Sequence, residues 1–152
     1  SHFLATLALL FVRENPGDYD QGKVLAMALV HDLSEARLMD IPMPVSNAWL
    51  GEAKEKAEQG IFNDLFSAFP GYYSELHDEF LKGDTNEARL LRALDKAQMM
   101  IKVLWYEKEH RGCLDEFWEK PGNFNDMGIA PVSALFDAIC RKAGKQRPVA
   151  TS

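Results

Sequence analysis

An apolar run that ends in three ionisable groups limits most sharply what this chain can become. Val24-Leu25-Ala26-Met27-Ala28-Leu29-Val30 leads directly into His31-Asp32-Leu33-Ser34-Glu35. The run reads as a helix buried in a core. An ionised carboxylate buried without a partner costs several kcal/mol, so the segment calls for a compensating charge. A divalent cation is the economical source, and imidazole together with carboxylate suits a first-row transition metal. Glu35 follows His31 by four residues and so shares its helical face.

The 152 residues fit one domain with a substantial core. A net charge of -6 argues against binding nucleic acid through its phosphates, which needs a basic face. A small anionic substrate stays compatible, because a bound metal offsets its charge. Cys113 and Cys140 form no CxxC and read as reduced thiols, which points to a cytoplasmic protein. Phe3 to Val12 is apolar but far shorter than the roughly 20 residues that span a bilayer, and it lacks signal-peptide features. It reads as a buried helix, with no membrane partner.

Helical spacing prevails throughout, with no alternating β-branched runs and no Asn-Gly or Asp-Gly hairpin signal. The first helix spans about 1–13 and stops at Asn15-Pro16-Gly17. The second starts after Asp18 or Asp20 and is expected to continue to about Leu38, before Ile41-Pro42-Met43-Pro44 forces an extended loop. Ser46 or Asn47 caps a third helix reaching about Phe69, and Tyr72–Leu81 forms a fourth. Asp84 or Thr85 caps a long fifth helix over about 86–110, with Glu87 as a capping-box partner for Asp84. Its core face is read as Leu90, Leu91, Leu94, Ala97, Gln98, Ile101, Leu104 and Trp105, continued by Tyr106. A last helix covers about 131–143. Residues 1–144 form one domain and 145–152 a loose tail. His77 and His110 lie among charged residues and read as exposed, and Trp49 as a cover for the core.

Asp95 sits within Leu90-Leu91-Arg92-Ala93-Leu94-Asp95-Lys96-Ala97, where pairing with Arg92 or Lys96 is the simpler reading. A histidine on one helix, a His-Asp pair on the next and an aspartate on a later one form a recognisable set. With Met27 to Glu35, Asp40-Ile41-Pro42 and Leu94-Asp95-Lys96, the chain resembles the HD-domain metal-dependent phosphohydrolases, most closely their small 5'-deoxynucleotidase-like branch.

The resemblance implies an all-α HD-domain bundle of about six helices and one divalent metal ion, Mn2+, Co2+, Fe2+, Ni2+ or Zn2+. It assigns the metal to His2, His31, Asp32 and Asp95. Glu35 would be the general base or proton shuttle beside the water on the metal, Asp40 a residue near the sugar, and Glu79 a second acid of the substrate pocket. The implied activity is hydrolysis of a phosphate monoester, preferably a (deoxy)nucleoside 5'-monophosphate, by a homodimer. Hydrolysis of a cyclic nucleotide or guanosine polyphosphate, or metal binding without turnover, are the alternatives. The family's preceding helix, which brings an arginine to the phosphate, has no counterpart in this sequence, so no phosphate-binding arginine is named. Arg37 reads as a solvated helix-face charge.

Overall fold

The computed structural model describes residues 2–39, 41, 49–69 and 71–149. These residues form helices and contain no strand, as the all-α reading requires. In order they are α1 (His2–Glu14), α2 (Gln21–Val30), α3 (Glu35–Leu38), α4 (Glu52–Leu65), α5 (Tyr72–Lys82), α6 (Asn86–Lys108), α7 (Asp115–Glu119), a 3-10 turn (Pro121–Phe124) and α8 (Ala130–Ala143). The four-residue α3 and five-residue α7 lie outside the six helices expected from periodicity.

The long helix α6 is the axis of the bundle. It packs against α1, α2, α5, α8 and the 3-10 turn. Leu90, Leu91, Ala93, Leu94, Ala97 and Met100 of α6 are fully buried, and they meet Leu4 and Ala8 of α1, Val24 and Met27 of α2, and Val132 and Phe136 of α8 in one core. At about 25 cal/mol per Å2 of apolar surface, this shared core is the main force that holds the helices in register.

Local signals set the ends. The Asp20 carboxylate accepts from the Lys23 amide at 3.0 Å and caps α2, while Thr85 Oγ1 accepts from the Ala88 amide and caps α6. Glu87 does not close a capping box with Asp84. It reaches back to accept from the Asp20 amide at 2.9 Å, tying the starts of α2 and α6 together. Gly83 ends α5 at φ +67°, and a Cβ there would collide with the Arg92 guanidinium, which donates to the Leu81 carbonyl.

Several expectations are corrected. The second helix stops at Val30 rather than running on to Leu38. Residues 31–34 turn through short i+3 bonds, Leu33 to Val30 and Glu35 to Asp32, before α3 begins. This turn re-aims the chain where the ionisable groups stand. The first helix is buried on one face only: Leu4, Ala8, Phe11 and Val12 are covered, while Leu9 and Leu10 are more than half exposed. Trp105 and Tyr106 leave the core face near the end of α6, and Trp49 is 83% exposed. Ser46, Asn47 and the Pro42–Pro44 loop lie outside the described residues.

The segment read as a loose tail is anchored at its start. Arg147 donates to Ser133 Oγ at 2.7 Å and to the Phe124 carbonyl at 2.7 Å, and pairs with Asp126 at 2.8 Å. Lys145 pairs with Asp115 at 2.6 Å and lies over the Trp118 ring. Long cationic side chains can fasten a polar strand that has no apolar anchor of its own.

Candidate metal centre

His31 is the C-cap of α2, with 6% of its surface exposed. Its Nδ1 lies 3.1 Å from the Ala28 carbonyl oxygen. A carbonyl can only accept, so Nδ1 carries the proton and, in the neutral ring, Nε2 keeps its lone pair. Nε2 is buried and makes no hydrogen bond, although Asp32 Oδ1 stands 2.8 Å away. The contact is close but does not have hydrogen-bond geometry. A lone pair and a carboxylate oxygen held side by side in this way are a donor set for a cation.

Asp32 is half-buried and belongs to the turn that follows α2. Burial alone would raise its pKa, but with no cation between them a protonated His31 ring, together with the charge of Lys102, outweighs that, and the net shift is downward. Asp95 lies mid-way along α6, flanked by the fully buried Leu94 and Ala97. Burial holds its carboxyl above the usual aspartate range, and the like charge of Asp32 adds to this. The opposing effects of His31, Lys96 and Lys102 do not cancel it. His31, Asp32 and Asp95 thus share one electrostatic neighbourhood across the packed α2–α6 seam.

The other expected residues are placed differently. His2 is exposed in the first turn of α1, and its carbonyl accepts from Thr6 Oγ1. Glu35 is half-buried at the start of α3. Asp40 lies outside the described residues. Glu79 is engaged: Lys23 Nζ pairs with it at 2.7 Å, and Thr85 Oγ1 donates to it, so it joins α5 to the starts of α2 and α6. Arg37 is exposed and paired with Asp64 of α4. Among the described residues, no three His, Cys, Asp or Glu side chains stand close enough to enclose a metal as they are. What the fold does supply is the fixed imidazole tautomer, the adjacent carboxylate and a second, half-buried carboxyl. These donors fit a divalent ion.

Sequence reasoning missed His77. It is 2% exposed rather than exposed, and stacks on Phe62 with ring centroids 4.2 Å apart. Its charged neighbours Asp78 and Glu79 suggested a solvated face. The signal available was the i+4 and i+7 spacing from Tyr73 to His77 and Phe80, an apolar stripe that includes the imidazole.

The HD domain profile matches residues 1–121. This chain belongs to the HD-domain family. Among proteins of named activity, it is 26% identical over 145 residues to the 5'-deoxynucleotidase HDDC2 of Xenopus laevis, covering 90% of this chain and 71% of that one. It is 27% identical over 126 residues to human 5'-deoxynucleotidase HDDC2, covering 78% of this chain and 61% of the human protein. Against HDDC2 of Dictyostelium discoideum the match spans only about half of the relative's length, 53%. Among solved structures it resembles the PH0347 protein of Pyrococcus horikoshii, with a TM-score of 0.74, 29% identity, and 94% and 79% of the two chains covered. No helix among the described residues is long and apolar enough to cross a membrane.

Proposed function

We propose that this HD-domain protein is a metal-dependent phosphohydrolase that cleaves a phosphate monoester, with a (deoxy)nucleoside 5'-monophosphate as the preferred substrate, to nucleoside and phosphate. The observation that carries this reading is the buried Nε2 of His31, its tautomer fixed by Ala28 and its lone pair set beside Asp32. The 5'-deoxynucleotidase relatives support the substrate class.

His31, Asp32 and Asp95 would hold the ion, joined by His2. A divalent ion held there would lower the pKa of water to about 7 and take up charge from a phosphoryl oxygen. The Ala28 carbonyl keeps the imidazole in the metal-binding tautomer. Burial and the like charge of Asp32 both disfavour the ionised Asp95 carboxyl, and a bound cation would offset both. Glu35, which opens α3 after the turn that carries His31 and Asp32, would orient the attacking water and accept its proton. Glu79 would act indirectly, fixing the start of α6 and therefore Asp95.

A screen of nucleoside monophosphates, cyclic nucleotides and guanosine polyphosphates with Mn2+ and Co2+ tests this. Phosphate release from monophosphates is expected, and Glu35→Gln should lower kcat by about 10^2- to 10^4-fold while still binding metal. Metal binding with no turnover of any substrate would overturn the reading.

A further inference from the structure

We infer that Lys102 receives the phosphate of the substrate as the cation at the mouth of the His31–Asp32–Asp95 site. The inference rests on the phosphohydrolase reading above. Lys102 follows Asp95 by seven residues on the uninterrupted α6. Seven residues make almost two full turns, so the two side chains share one stripe, separated by about 10 Å along the axis. Gln98, on the same stripe between them, is buried, whereas Lys102 is exposed. The stripe therefore runs from the half-buried Asp95 past the buried Gln98 to solvent at Lys102. The charge of Lys102 acts on both Asp32 and Asp95.

Several other cations of α2, α3 and α6 are committed. Lys23 is held by Glu79 and Glu87, and Arg37 by Asp64. Arg89 donates to the Met127 carbonyl and Arg92 to the Leu81 carbonyl. Among the described residues Lys102 makes no ion pair or hydrogen bond, so its ammonium remains available. A dianionic phosphate entering a site that holds Asp32 and Asp95 meets two carboxylates. A lysine on a flexible stem is a suitable point charge to draw it in.

Two opposite effects distinguish this role from a structural one. With Co2+ saturating, Lys102→Gln should raise KM for a deoxynucleoside monophosphate about 10- to 100-fold with kcat changed less than about threefold, and Lys102→Arg should restore KM. Without nucleotide, removing this nearby positive charge should tighten Co2+ binding about 2- to 5-fold, and more in Lys102→Glu. A lysine that merely supports the fold would weaken both. If wild type turns over the substrate and Lys102→Gln leaves KM within twofold, or weakens Co2+ binding along with substrate binding, the assignment is wrong and the hydrolase reading survives. If wild type turns over no phosphoester, both fall.

Discussion

His31 and His77 are buried to nearly the same degree, at 6% and 2% exposure, and each leaves one ring nitrogen without a hydrogen bond. Their surroundings differ. The free Nε2 of His31 faces the Asp32 carboxylate, with Asp95 across the seam. His77 lies flat on Phe62, which stacks on Phe66, which stacks in turn on Tyr73. Phe80, one turn along α5 from His77, meets the His31 ring edge-on at 5.0 Å and links the two regions. The same side chain is thus a metal-ligand candidate in one place and a flat apolar filler in the other. What decides is the ring's surroundings: an anion beside the unbonded nitrogen that a cation can join, or an aromatic face stacked on a ring that burial keeps neutral.

Exchanging each histidine tests this contrast. The largest effect is expected from His31→Ala, which should reduce metal-dependent phosphate release below detection, while His77→Phe stays within a few-fold of wild type in the same assay. In stability the order reverses. His77→Ala should lose about 2–4 kcal/mol, measured by urea unfolding, because it opens a cavity behind Phe62. His77→Phe should recover most of that loss.

Metal binding sharpens the comparison further. At about 100 times Kd, Mn2+ should stabilise the protein by about 2.7 kcal/mol. For a domain of this size that raises Tm by roughly 5–10 °C. His77→Phe should keep this shift and His31→Ala should lose it. The smallest effect concerns pH. Burial depresses the His77 pKa below the ordinary 6.5 against the pull of Asp78 and Glu58. The unfolded chain therefore takes up the proton first. The stability from a neutral His77 is complete above about pH 6.5 and is lost as pH falls through the folded-state value. His77→Phe should remove up to about 1.4 kcal/mol per pH unit from the slope of urea stability in that window.

The same contrast explains what could be read from sequence. Helical spacing and caps were legible because they are local: Asp20, Thr85 and Gly83 act within one turn of their own positions. The His31-Asp32 pair was legible because ionisable groups ending an apolar run conflict with the local pattern. His77 was hidden because Phe62, which buries it, lies on another helix, and its immediate neighbours are charged. The break at residues 31–34 was hidden for a related reason. Leu33 and Ala36 continue the helical pattern, and i+3 bonding leaves no mark on composition. Glu79 gained a structural role through Lys23 and Thr85, partners that sequence distance conceals.

Crystals soaked in Mn2+ and measured for anomalous scattering test the central claim most directly. One strong peak bonded to His31 Nε2 and to the carboxylates of Asp32 and Asp95 is expected. No peak there at saturating Mn2+, or a peak held instead by the acidic surface of Glu75, Asp78 and Asp84, would contradict it.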